Sequence, residues 1–317
     1  INGTSINYSI VGVNHYPRKK YNQVSKLKIK KNNFDFLLLI TPGLFIFTLL
    51  IIFPIFLKIF YSFFKISFLT NQYDFIGFKN FYKLYFKKEF FNSLQIVIIL
   101  TILALFFSNL LGIIFAKLLN NDHKLFLILR ILIFTPFILS PIVVGYIFVT
   151  ILTDNGILNQ FITLYSNNIK ISWLGNPNMA LFSISIALCW QLIAFCTVIY
   201  LANLKNIPKE LEDAANIDGA NKIQKFRYLD WPLLAPALTI NSVVILISSF
   251  KLYDRVLALT GGGPGRSTET IAMLIIRTAF NENRVGFASS MSLLLLLISG
   301  TTTFIALVYL GKREVEN

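Results

Sequence analysis

Six runs of apolar residues, at 36–57, 94–119, 125–152, 179–204, 233–253 and 287–310, leave this chain few ways to fold. Each is about 20 residues or longer, enough for a helix to cross a hydrocarbon layer ~30 Å thick. In lipid the main chain must satisfy its own hydrogen bonds, so each run is expected as a helix. The fold class that follows is all-α, a polytopic membrane protein with about six transmembrane helices. Composition agrees, since 55% of the 317 residues are hydrophobic and 14% are charged, whereas a water-soluble domain carries about a quarter charged residues. Two cysteines cannot staple a secreted fold. Cys189 and Cys196 fall on one run, where about 10 Å of helical rise separates them, and they read as packing residues.

The formal net charge is +14, from 29 Lys+Arg against 15 Asp+Glu. These basic residues lie between apolar runs, which points to membrane topology and lipid headgroups and not to nucleic acid. With residues 1–35 placed in the cytoplasm, inner segments hold 17 basic residues and outer ones 11. Both termini, 1–35 and 311–317, are therefore expected on the cytoplasmic side of a transmembrane domain at 36–310. Lys58 falls at the outer interface, where its stem can snorkel. The first run exceeds the ~7–15 residues of a signal-peptide core and is read as a retained span. Residues 75–91, rich in aromatics and lysine, suit the membrane surface, and 270–280 suits a short helix at the outer face.

The most informative segment is the polar island at 207–232. Pro208 suits a first helical position, and Glu210, Glu212 and Asp213 crowd the first turn, where the helix dipole favours negative charge. Leu211, Ala214, Ala215 and Asp218 follow i, i+3, i+4, i+7 spacing, and Gly219 can end the helix in a left-handed conformation. A second short helix is expected at 221–229, with Ile223 and Phe226 on one side. The residues alone leave two readings open: a solvated link between spans, or a plug for another protein's groove.

The run Asp213-Ala214-Ala215-Asn216-Ile217-Asp218-Gly219-Ala220, continued by Phe226 and by Pro232 in Trp231-Pro232-Leu233-Leu234-Ala235-Pro236, resembles the "EAA" loop of ABC importer permeases. Asp213 stands where that motif usually has glutamate, and Asp230-Trp231 where it has a less polar pair. Thr41-Pro42-Gly43, the run from Phe75 to Phe81, and Leu259-Thr260-Gly261-Gly262-Gly263-Pro264-Gly265 resemble the carbohydrate-uptake branch, similar to glycerol-3-phosphate, multiple-sugar and maltose-type permeases. The likeness covers roughly 36–310.

This resemblance implies a non-catalytic permease subunit in a bacterial plasma membrane, with the type I importer fold. Leu211, Asp213, Ala214, Ala215, Asp218, Gly219, Ala220, Phe226 and Pro232 would form the coupling surface for an ATPase. The implied partners are a second, homologous permease, two ATPase subunits that carry ATP and Mg, and an extracytoplasmic solute-binding protein. The chain itself would bind no cofactor. The cargo would be a sugar or sugar-like solute such as an oligosaccharide, polyol or glycerol phosphate. The alternatives are an ABC permease for another solute, an ion-coupled carrier and a membrane scaffold; no span centre carries the acidic residue that ion coupling favours.

Other constellations carry less. The segment 260–268 lacks the lysine and glycine spacing of a phosphate-binding loop, and Pro264 has no N–H to donate. His15 and His123 lie far from cysteines and clustered carboxylates. In the spans, Trp190, Gln191, Asn241, Ser248 and Ser249 suit either helix-to-helix hydrogen bonding or a sugar path. Thr135-Pro136 and Ser140-Pro141 should bend the third span and expose carbonyls that Ser or Thr could satisfy.

Overall fold

A computed structural model describes residues 33–67, 72–121, 123–165 and 170–313. The proposed cytoplasmic ends, 1–35 and 311–317, and His15 lie wholly or largely outside these residues. The chain divides into two units, Ile1–Pro54 and Ile55–Asn317. In the first, α1 (Asn33–Phe47) runs through Pro42 into a π-helical turn at Thr48–Ile52, where α2 (Phe53–Ser62) begins. Large apolar side chains are exposed on all sides, among them Leu39, Phe45 and Leu50. A helix apolar all round belongs in lipid.

In the second unit, which starts within α2, comes a feature the apolar runs do not announce, an antiparallel hairpin of β1 (Phe64–Ser67) and β2 (Gln72–Phe75) in which Phe64 pairs with Phe75. Phe64 and Phe75 meet edge to face across it, their ring centres 5.3 Å apart. Then come α3 (Lys79–Tyr85) and the long α4 (Lys88–Leu119), followed by α5 (Lys124–Ile138), α6 (Pro141–Leu152), α7 (Ile157–Tyr165) and α8 (Pro177–Lys205).

The core forms where α4 meets α8. Small residues let them approach: a Cβ added at Gly112 would stand 2.6 Å from the Cβ of Cys196. Leu100, Ala104, Ala116, Ala187, Leu188 and Tyr200 are fully buried around this seam. Cys189 and Cys196 are buried free thiols, as packing residues should be. Tyr200 donates its hydroxyl to Asn109 Oδ1 at 2.7 Å, so these two buried polar groups are paired across the seam.

Among the described residues five helices are long and apolar enough to cross a membrane, or six when a pair bent by 62° counts as one span. The bend separates Lys222–Leu233 from α12 (Ala235–Phe250), which is the fifth expected run, and the sixth is α15 (Val285–Gly311). The third run needs correction. It is not one helix over 125–152, because Leu139 and Ser140 are extended and divide α5 from α6; the candidate span here is Pro141–Leu164. A residue before proline is pushed out of the α region, and Ser140 precedes Pro141. The freed carbonyls are met by an amide and not by a hydroxyl: Gln191 Nε2 donates to Pro136 O at 3.0 Å and to Leu139 O at 2.8 Å.

Candidate functional site

The polar island folds as two short helices at one end of the bundle. After Pro208, which is extended and caps the start, comes α9 (Lys209–Ile217), one residue later than its sequence suggests. The Ala220 N–H donates to Ala215 O at 3.0 Å and the Gly219 N–H to Asn216 O at 3.1 Å, the paired bonds that close a helix through a left-handed residue. Gly219 supplies that residue at φ +72°. Next, α10 (Lys222–Lys225) starts from a reciprocal cap: Asn221 Oδ1 accepts from Gln224 N at 2.9 Å, while Gln224 Oε1 accepts from Asn221 N at 2.8 Å. A π-helical turn, Phe226–Asp230, then leads through α11 (Trp231–Leu233) into the bend before α12.

Nearly all of α9 faces outward from its own chain. Leu211, Asp213, Ala214, Asp218 and Gly219 are exposed, and Ala215 and Ala220 half-buried. Ile217 is 86% exposed and Ile223 78%. This is an apolar surface without an intrachain partner, on a helix whose C-terminal end is closed by its own loop. Ile223 and Phe226, expected on one side, part company. Phe226 turns inward and packs against the core, with the Trp231 ring 6.1 Å away.

Lys117, in the last turn of α4, ties this loop to the membrane bundle. Its Nζ lies 2.7 Å from Asp230 Oδ2 and 4.2 Å from the centre of the Phe226 ring. Sequence reading used Lys117 only as a topological charge; the signal that could have found it is the unusual Asp230 before Trp231-Pro232, a carboxylate in need of a cation.

The first turn of α4 carries the second polar site. Following α13 (Asp254–Thr260), Gly261, Gly262, Gly265 and Arg266 all have positive φ, so the glycine run makes a tight turn before α14 (Ile271–Ile276). Its N–H groups are spent internally, Gly262 N on Thr260 Oγ1, Gly263 N on Thr260 O and Thr268 N on Gly262 O. They are not turned outward as a phosphate cradle would require. Arg277 holds Glu269 by two bonds, of 2.7 and 3.1 Å, and also reaches Glu282 and Glu89. The Glu269 carboxylate bonded to it keeps the Arg277 guanidinium above its ordinary pKa. Glu89 also pairs with Arg266 at 3.2 Å and Lys87 at 3.3 Å. A polar cavity of about 420 Å³ lies between Glu89, Asn92 and Ser93 of α4 and Arg266 and Ser267 of the turn.

The span candidates separate by environment. Gln191 is engaged within the chain, its amide bonded to the break after α5 and its Oε1 accepting from Arg255. Arg255 is buried, a cation that sequence reading counted as a loop charge. Asn241 and Ser249 are fully buried, and their polar side-chain atoms have no hydrogen-bond partner among the described residues. Ser248 is half-buried and Trp190 is 37% exposed, beside an apolar pocket with Phe107 and Phe182. Among the described residues no cluster of three or more His, Cys, Asp or Glu could hold a metal.

Comparison with known proteins gives this geometry a lineage. Residues 108–315 match the family model described as "Binding-protein-dependent transport system inner membrane component". The chain is 33% identical over 295 residues to the probable starch degradation products transport system permease protein of Thermoanaerobacterium thermosulfurigenes, covering 92% of this chain and 99% of that one. It is 32% identical over 263 residues to the multiple sugar-binding transport system permease protein of Streptococcus mutans, covering 83% and 90%. In fold it resembles a chain of a bacterial ABC transporter involved in the import of the acidic polysaccharide alginate, with a TM-score of 0.77 at 17% sequence identity, over 93% of this chain and 99% of that one. The family match over 108–315 and the relatives at about one-third identity agree: the chain belongs to the family of binding-protein-dependent transport system inner membrane components.

Proposed function

We propose that this permease forms half of the membrane path of an ATP-driven importer for a saccharide, with a related permease supplying the other half. The observation that carries this reading is α9: an exposed helix, closed at its end by Gly219, whose Leu211, Ala214 and Ile217 are exposed on their own chain. Such a surface fits a groove on another protein. In this reading the groove belongs to an ATPase subunit, one of two, which binds ATP and Mg. Leu211, Asp213, Ala214, Ala215, Asp218, Gly219 and Ala220 make the contact, while Phe226 and Pro232 anchor it to the bundle. The loop and both termini face the cytoplasm, and a solute-binding protein delivers cargo at the opposite face.

A saccharide is favoured because relatives at about one-third identity are named for starch degradation products and multiple sugars. Along the path, Trp190 offers a ring for a sugar face and Ser248 a hydroxyl, while Asn241 and Ser249 are buried behind that surface, inside the packing of α12. Gln191 serves it indirectly by holding the break between α5 and α6. The test is crosslinking from Ala215→Cys and Ala220→Cys in membranes that also contain the ATPase subunits, together with vanadate-sensitive uptake of labelled maltooligosaccharides. Capture of the ATPase and vanadate-sensitive uptake are expected. Failure to capture an ATPase from either position, or uptake driven by an ion gradient alone, overturns the reading.

A further inference from the structure

The structure ties both ends of α4 by charge, and this has a mechanical consequence. Near its start, Glu89 pairs with Arg266 and Arg277 of the glycine-turn region. Near its end, Lys117 pairs with Asp230 of the loop. Between Glu89 and Lys117 lies an unbroken helix, about 42 Å long at 1.5 Å per residue.

The loop end is shaped for its cation. In the π-helical turn the Trp231 N–H reaches back to Phe226 O, one residue further than in an α-helix. Phe226 and Asp230, four residues apart, share one side of this turn, where Lys117 takes the ring and the carboxylate together. The Asp230 side chain is 14% exposed and that of Lys117 37%, so the pair is partly withdrawn from water and weakened less by salt than a surface bridge. Beside it, α4 and α12 do not close completely. A groove of about 540 Å³, apolar except for Asn109 and Ser242, runs between them under Trp231.

We propose that Lys117 and Asp230, with Phe226 as their platform, are positioning residues that make α4 a rod: when the loop carrying α9 moves, the pair carries α4 with it and delivers the movement to the glycine turn at the other end. This rests on the reading of α9 as the ATPase contact. A carboxylate before Trp231-Pro232 then has a purpose, since Asp230 is the residue through which the loop grips the helix.

The test uses the assembled importer in proteoliposomes, with its ATPases and binding protein. Spin labels are placed at Leu110→Cys on α4 and Tyr228→Cys on the loop, both exposed positions, and radiolabelled maltotriose serves as cargo. With the native pair, the label separation should be the same without nucleotide and after vanadate trapping. In Lys117→Met and in Asp230→Asn it should change on trapping, and maltotriose imported per ATP hydrolysed should fall about fivefold or more. The exchanged pair, Lys117→Asp with Asp230→Lys, should restore the constant separation, and Lys117→Arg should keep it. A separation that stays constant in both single variants overturns the proposal, as does an exchanged pair that assembles normally and fails to restore it; lowered thermal stability without either change would make the bridge a staple only. If the native complex imports no maltotriose, the cargo reading fails, while the label separations still decide the rod.

Discussion

The side-chain amide of Gln191 donates to the main-chain carbonyl of Leu139 across 2.8 Å, and the same nitrogen donates to Pro136 O. One side chain therefore closes the two carbonyls opened by the break between α5 and α6, while its oxygen accepts from buried Arg255. Replacing it by leucine preserves bulk and leaves three groups short of a partner. A buried group without its partner costs about 1–3 kcal/mol, so Gln191→Leu should lower the thermal unfolding temperature in detergent markedly. Gln191→Glu should also lower it, because a carboxylate can hold Arg255 and cannot donate to carbonyls. An unchanged melting profile in the leucine variant would remove Gln191 from this role.

That pair also shows where the sequence stops being legible. Most spans and the loop are written locally, in apolar runs and in the helix-ending Gly219; the third span is not, its run at 125–152 giving way to a candidate span at Pro141–Leu164. The break after α5 is half written: Ser140-Pro141 announces it, but nothing near it announces Gln191, some 50 residues on, as its partner. Arg255 misleads by the same logic, since a cation beside Asp254 in a connection reads as solvated until α6 and α8 close over it. Phe226 and Asp230, four apart, share a helix face by spacing alone, but Lys117 lies more than 100 positions from Asp230, and only the packing of the loop against α4 brings the cation to them.

Gly286 and Gly300 lie on the same helix, α15, in opposite circumstances. A Cβ at Gly286 would stand 1.8 Å from Phe64 O and 3.0 Å from Tyr61 O, both main chain, whereas one at Gly300 would meet nothing within 4 Å. Gly286→Ala must push the hairpin strand off the helix, a change of the kind that costs about 1–3 kcal/mol. Gly300→Ala should be neutral or slightly stabilising, because alanine favours helix by about 1 kcal/mol over glycine. Parallel thermal melts of the two variants separate steric contact from helix propensity.

At Gly219 the constraint is conformational. Nothing lies within 4 Å of a Cβ built there, yet φ is +72°. A non-glycine residue in the left-handed region costs roughly 1–2 kcal/mol. Gly219→Val should loosen the end of α9 while membrane insertion stays normal, so that ATP-driven uptake falls at equal protein abundance. Gly219→Asn, which tolerates this region better, should fall between valine and the native residue. Full uptake with valine would show that the turn can be made another way.

Arg277 offers a test in which burial sets the magnitude. Its guanidinium forks onto Glu269, whose side chain is 9% exposed, and reaches Glu89, whose side chain is 41% exposed. Removing one partner of a buried pair strands a charge at a cost of about 3–5 kcal/mol, whereas a surface pair contributes ~1 kcal/mol or less. Arg277→Met should therefore destabilise the glycine-turn region severely by abandoning Glu269. Glu89→Gln should cost little, because Arg277 keeps Glu269 and Glu282. Arg277→Lys should fall between them, since an ammonium keeps the charge but cannot present two parallel N–H donors. High salt should erase most of the small Glu89→Gln effect and little of the Arg277→Met effect, because screening acts on the exposed carboxylate and hardly on the buried one. Amide hydrogen exchange over the glycine turn, in low and high salt, reads all three variants; equal losses from Arg277→Met and Glu89→Gln would mean that Glu269 is not the carboxylate this arginine holds.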